Sequence, residues 1–102
     1  MTELPRGIAV FDIDGVLADV RHRLHHVERK PKDWDSFFAS MDDDVPLADG
    51  VALAQRYAGD GHRIAYLTGR NESYRDLTLA WLKRHGLPDG RLVMRRDDDR
   101  RT

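Results

Sequence analysis

The stretch Gly7-Ile8-Ala9-Val10-Phe11-Asp12-Ile13-Asp14-Gly15 decides the fold. Gly7 to Phe11 is a short apolar run with β-branched residues, and it stops abruptly at two aspartates and a glycine. That pattern suits a buried strand running into a loop. Working outward, Arg63 to Thr68 reads as a second strand, with Gly69-Arg70-Asn71 turning the chain, and Leu92-Val93-Met94 reads as a short third one. Helical stripes separate them. Trp34, Phe37, Phe38 and Met41 recur at i, i+3, i+4 and i+7 behind Asp33, whose carboxylate suits the N-cap of a helix over residues 33–41. Leu47, Val51, Ala54, Tyr57 and Ala58 make a second stripe that ends at Gly59 and Gly61. A third carries Tyr74, Leu77, Trp81 and Leu82, with Ser73 as its expected cap and Gly86 at its end. Strands joined by helical crossovers imply an α/β fold with a parallel sheet, flanking helices and right-handed connections.

The segments between these elements are less regular. Residues 18–32 show no clear period and read as loop or marginal helix, so residues 18–46 form a small lid inserted into a single domain spanning residues 1–102. From Arg95 onward the chain is a solvated charge run. A charged fraction of 34% is above the usual ~25%, but a net charge of −1 and blocked apolar runs argue for a packed core over disorder. The same near-zero charge removes any argument from bulk basicity to nucleic acid. With no cysteine, disulfides, thiolate metal sites and cysteine nucleophiles are excluded, which is compatible with a reducing cytoplasm. No apolar run approaches the ~18 residues a membrane span requires.

In an open parallel sheet, ligands bind outside the carboxyl ends of the strands. Asp12 and Asp14 follow the first strand and Thr68-Gly69-Arg70 end the second, so one pocket is expected to hold them all. Two like charges one residue apart repel, and a cation relieves that repulsion. Mg2+ suits the task because it takes a few carboxylate and carbonyl oxygens together with phosphate and water. One aspartate can then attack phosphorus while the other shuttles a proton to the leaving oxygen. Gly15 lets the backbone turn sharply, the Thr68 hydroxyl can bond a phosphoryl oxygen, and Arg70 offers a fork suited to phosphate.

Phe-Asp-Ile-Asp-Gly-Val-Leu (residues 11–17) after an apolar strand, followed by Tyr-Leu-Thr-Gly-Arg (residues 66–70) at the next strand end, resembles the first two motifs of the haloacid dehalogenase (HAD) phosphohydrolases. The resemblance implies a HAD-like, Rossmann-like parallel sheet and a phosphomonoester hydrolase. Asp12 is then the nucleophile that becomes an aspartyl-phosphate, and Asp14 the acid/base. Asp12 and Asp14 serve as magnesium ligands, the latter through its backbone carbonyl, and Thr68 bonds the transferring phosphoryl group. Along more of the chain the sequence is similar to the phosphatase domain of phage-type polynucleotide kinases. The matching residues are Arg21 and Arg23, Thr78 with Trp81-Leu82, Leu92-Val93-Met94-Arg95, and Asp99 with Arg101. That likeness implies a nucleic-acid 3′-phosphate end as substrate, held by Gly69, Arg70 and Arg23.

There is no Gly-x-x-x-x-Gly-Lys-Ser/Thr phosphate loop. The family's third motif, a lysine, and its fourth, an acidic pair, are expected beyond Thr102, so the domain reads as truncated after its third strand. The first strand then has an unpaired edge, a route to homo-oligomers. Rival readings are a small-molecule nucleotide phosphatase, a non-catalytic HAD-fold binding module and a phosphoacceptor signalling domain. His22, His25 and His26 are read as part of a polar flap in preference to a metal site, and Asp42-Asp43-Asp44 as a solvated turn. Trp34, Phe37 and Phe38 are assigned to core packing in preference to base stacking.

Overall fold

A computed structural model of the protein describes residues 7–28 and 30–96. Three parallel strands form its sheet in the order β1 (Ile8–Asp12), β4 (Arg63–Asn71), β5 (Arg91–Arg95). A second, two-stranded sheet pairs β2 (Ala18–Asp19) antiparallel with β3 (Val45–Pro46). This pairing closes the base of the segment between them. That segment holds α1 (His25–Glu28) and α2 (Trp34–Ala39), so the irregular stretch of residues 18–32 contains a short strand, a 3-10 turn and one turn of α-helix. The longer helices α3 (Ala48–Gly59) and α4 (Arg75–Arg84) fill the two crossovers.

Alternation in the strands divides the sheet into two unlike faces. Phe11, Ile64, Tyr66, Leu92 and Met94 lie on one face and join Ala54 of α3 and Trp81 and Leu82 of α4 in a single buried cluster. On the other face Ile8, Val10, Leu67 and Val93 are exposed, the first two at 63% and 56%. The continuous apolar run of β1 is thus half buried, and β1 is an edge strand.

Two details depart from the sequence-based expectation. Residues 69–71 do not turn the chain: β4 continues to Asn71, which pairs with Arg95, and the register with β5 is irregular between Leu67 and Asn71. The cap ahead of α4 is Asn71 in place of Ser73. Its side chain accepts the Ser73 N–H at 2.9 Å and starts a 3-10 turn that leads into the helix.

Candidate active site

The loop after β1 is folded by its own backbone. Ile13 donates to the Leu67 carbonyl at 2.9 Å, extending the β1–β4 ladder past Asp12, and the Ile13 carbonyl accepts from Leu17 and Ala18 at 2.9 Å each. Gly15 makes the reversal with φ +84°, a conformation that side chains rarely adopt. Helix α3 then braces the turn at Gly50, where an added Cβ would lie 2.0 Å from the Val16 carbonyl oxygen. Asp12 and Asp14 are therefore presented by a backbone with little freedom.

Asp12 stands exposed at the mouth of a cleft of about 390 Å³ that it shares with Asp14, Thr68, Gly69 and Arg95. Thr68, 54 residues from Asp14 in sequence, donates its hydroxyl to Asp14 Oδ2 at 2.6 Å. The two strand ends thus meet. Asp14 Oδ1 accepts from Arg70 Nη2 at 3.0 Å and Nε at 3.2 Å, and from Arg23 Nη2 at 3.1 Å. Burial alone pushes the Asp14 carboxyl up. The Arg70 charge, the Thr68 and Arg70 hydrogen bonds and the Arg23 charge outweigh it, and hold the group below the ordinary carboxylate value.

Arg23 and Arg70 are themselves buried, at 0% and 1% exposure, a placement that charged side chains rarely take without a partner. Their partner is Asp44. Its Oδ1 accepts from Arg23 Nε at 2.8 Å, and its Oδ2 from Arg23 Nη2 at 2.9 Å and Arg70 Nη2 at 3.2 Å. His22 Nε2 lies 2.6 Å from Oδ1, and Trp81 donates its indole N–H to the Asp44 carbonyl at 3.0 Å. Asp44 is thus no part of a solvated turn. Only Asp42 and Asp43 are exposed, whereas Asp44 is the buried anion between two guanidinium groups. Nothing in an Asp-Asp-Asp run tells the third residue from its neighbours. The available hint was the presence of two arginines assigned to one pocket, which need a counter-charge.

Arg95 also departs from expectation. It belongs to β5 and lines the cleft, and its Nε is buried with no hydrogen-bond partner among the described residues. Residues 97–102, including Asp99 and Arg101, lie outside the described residues. The His25 and His26 rings lie 4.0 Å apart with their planes tilted by 40°, and among the described residues no group of three or more His, Asp or Glu stands ready to hold a metal ion.

The aromatic stripe of α2 is not core. None of its three aromatic residues is buried, and Trp34 is 47% exposed, whereas Met41, the last residue of the stripe, lies past the helix and is buried. Asp33 does cap the helix, accepting the Ser36 N–H at 3.0 Å. The 3.6-residue spacing marks the helix, but periodicity does not say which surface the apolar face meets.

Residues 6–102 match the phosphatase domain of polynucleotide kinase PNKP. The chain belongs to that family. Among curated proteins none matches it. Of solved structures, it is similar to a chain of a Pnkp1/Rnl/Hen1 complex, with 23% identity and a TM-score of 0.75 over 97% of this chain and 30% of that one. It is also similar to the class C acid phosphatase from Bacillus anthracis with tungstate bound, with 19% identity and a TM-score of 0.75 over 96% and 44% of the two chains. At these identities the likeness shows the fold alone, a HAD-type parallel sheet with helices. The PNKP phosphatase-family chain spans less than half the length of either neighbour.

Proposed function

We propose that the protein is a magnesium-dependent phosphomonoester hydrolase that acts through an aspartyl-phosphate on Asp12, with a nucleic-acid 3′-phosphate end as substrate. The observation that carries this reading is the Thr68–Asp14 hydrogen bond, which closes two distant strand ends around the cleft where Asp12 is exposed. Family membership supports the reaction class. The neighbouring RNA repair complex and the polynucleotide kinase family support a nucleic-acid end as substrate.

In this mechanism Asp12, whose carboxylate is open to the cleft, attacks phosphorus. As the Asp12–phosphorus bond forms and the bond to the leaving oxygen breaks, Asp14 gives that oxygen a proton; it then takes a proton from the water that attacks the aspartyl-phosphate, which releases inorganic phosphate and frees Asp12. Asp14 starts ionised, held so by Arg70, Thr68 and Arg23. An incoming phosphate dianion places negative charge beside Asp14, which raises the carboxyl so that it takes up a proton from solvent. Thr68 and Gly69 border the phosphoryl position. Arg95 lines the same cleft, its Nε without a hydrogen-bond partner among the described residues, while Arg23 and Arg70 shape the charge behind it. Magnesium would be held by Asp12 and the main chain of Asp14, taking its remaining oxygens from water and substrate. It supplies charge neutralisation between carboxylate and phosphate. The segment of residues 18–46 then acts as a lid over the cleft.

The experiment compares a 3′-phosphorylated oligonucleotide with free nucleoside monophosphates, with magnesium, for the wild type and Asp12→Asn. Turnover should be highest on the oligonucleotide and fall by a factor on the order of 10³ or more in the variant. Equal turnover by the variant would remove the mechanism. Preference for free nucleotides would move the substrate to small molecules, and phosphate binding without turnover would mark a binding module.

A further inference from the structure

Next to the catalytic cleft lies a second cavity, of about 550 Å³, whose lining includes Asp14, Gly69, Arg95, Trp34, Phe37 and Phe38. The first three residues also line the phosphate cleft, so the two spaces share one wall. Resting on the phosphatase reading above, we propose that the second cavity seats the base of the nucleotide that carries the phosphate, stacked on the aromatic face of α2.

The rings are arranged as a platform. Trp34 and Phe38 lie nearly parallel at 6.0 Å with 26° between planes, and Phe38 continues the stack onto Tyr74 at 5.5 Å and 30°. Phe37 meets both α2 rings edge-on, at 5.6 and 5.2 Å. The platform is fixed to the acid behind it: the Arg23 guanidinium sits 4.3 Å from the Phe37 ring centroid, donates to the Phe37 carbonyl at 3.2 Å, and bonds Asp14. An exposed indole beside a cavity of ligand size, with Arg95 in the shared wall and its Nε unpartnered among the described residues, suits a molecule with one flat apolar part and one anionic part. Stacking on aromatic side chains tolerates any base, because every base has a π-face. The seat therefore selects for the presence of a base and against its absence, with no preference for its identity.

The two tryptophans make the test direct, since Trp81 is 1% exposed and Trp34 is 47% exposed. Thymidine 3′-phosphate should quench the emission saturably, and a tetrahydrofuran abasic 3′-phosphate should not. Trp34→Phe should abolish the quenching and retain base-dependent binding. Trp34→Leu combined with Phe38→Leu should cut the binding preference for the base-bearing ligand by about tenfold or more. Because no residue of α2 is buried, far-ultraviolet circular dichroism and Trp81 emission should stay unchanged in these variants. Equal binding of base-bearing and abasic ligands by the wild type would overturn the proposal, as would phosphotyrosine binding as tightly as the nucleotide. Quenching without any turnover would remove the phosphatase reading and keep the base seat. Turnover indifferent to the base would do the reverse.

Discussion

Burying two guanidinium groups side by side requires anions in contact with both, and Asp44 and Asp14 supply them. Removing one member of such a cluster strands the others' charge in a low-dielectric site, which costs far more than the loss of a surface pair. Asp44→Asn should therefore destabilise the fold by about 3 kcal/mol, measured as a shift in urea midpoint. Asp42→Asn, which touches only the exposed Arg84 pair, should change stability by less than about 1 kcal/mol. Asp14 makes a second prediction at this scale. Its folded pKa lies below the ordinary value, so the ionised form stabilises the fold; this contribution is complete above about pH 5 and is lost as pH falls through the folded pKa. Acid titrations of the urea midpoint should fall more steeply below about pH 4 for wild type than for Asp14→Asn, and parallel curves would contradict the assignment. The convergence of Asp12, Asp14 and Thr68 on one cleft is legible because the strand pattern places them at adjacent strand ends. The placement of Asp44 and Arg95 is not, because it depends on which charges the fold buries around them.

At the scale of elements, the turn carrying Asp14 is held against α3 at Gly50, where the Val16 carbonyl leaves no room for a Cβ. Gly50→Ala has ordinary helical geometry and yet should destabilise by about 3 kcal/mol, the upper end of overpacking costs, and lower phosphate binding by shifting the turn. Gly15→Ala adds a Cβ that meets no atom within 4 Å, so its cost should be only the roughly 1–2 kcal/mol of left-handed backbone. Differential scanning calorimetry of the two variants orders them. The sequence reading placed α2, α3, α4 and the three parallel strands correctly, since each is marked by apolar period and by capping or turn residues. It ended β4 too early because Gly69-Arg70-Asn71 has turn-forming composition, whereas pairing of Asn71 with Arg95 carries the strand through it. It assigned α2 inward because an aromatic stripe looks the same whether it faces a core or a ligand cavity.

Across the whole molecule, topology was legible and the coverage of its surfaces was not: a continuous apolar β1 predicted burial on both faces, and one face of the sheet is exposed at Ile8 and Val10. The strand order also has a temporal consequence. Parallel pairing of β4 with β5 joins Ala65 to Arg91, while β1 joins Ile8 to Arg63, a closure about twice as long that costs roughly 0.6 kcal/mol more in chain entropy. Among the described residues β1 and β5 each have one neighbour in the sheet and β4 has two. The strand that ends at Asp12 and leads into the Asp14 turn thus carries the longer closure, so the proposed site is expected to assemble late in folding, after β4 and β5 have paired.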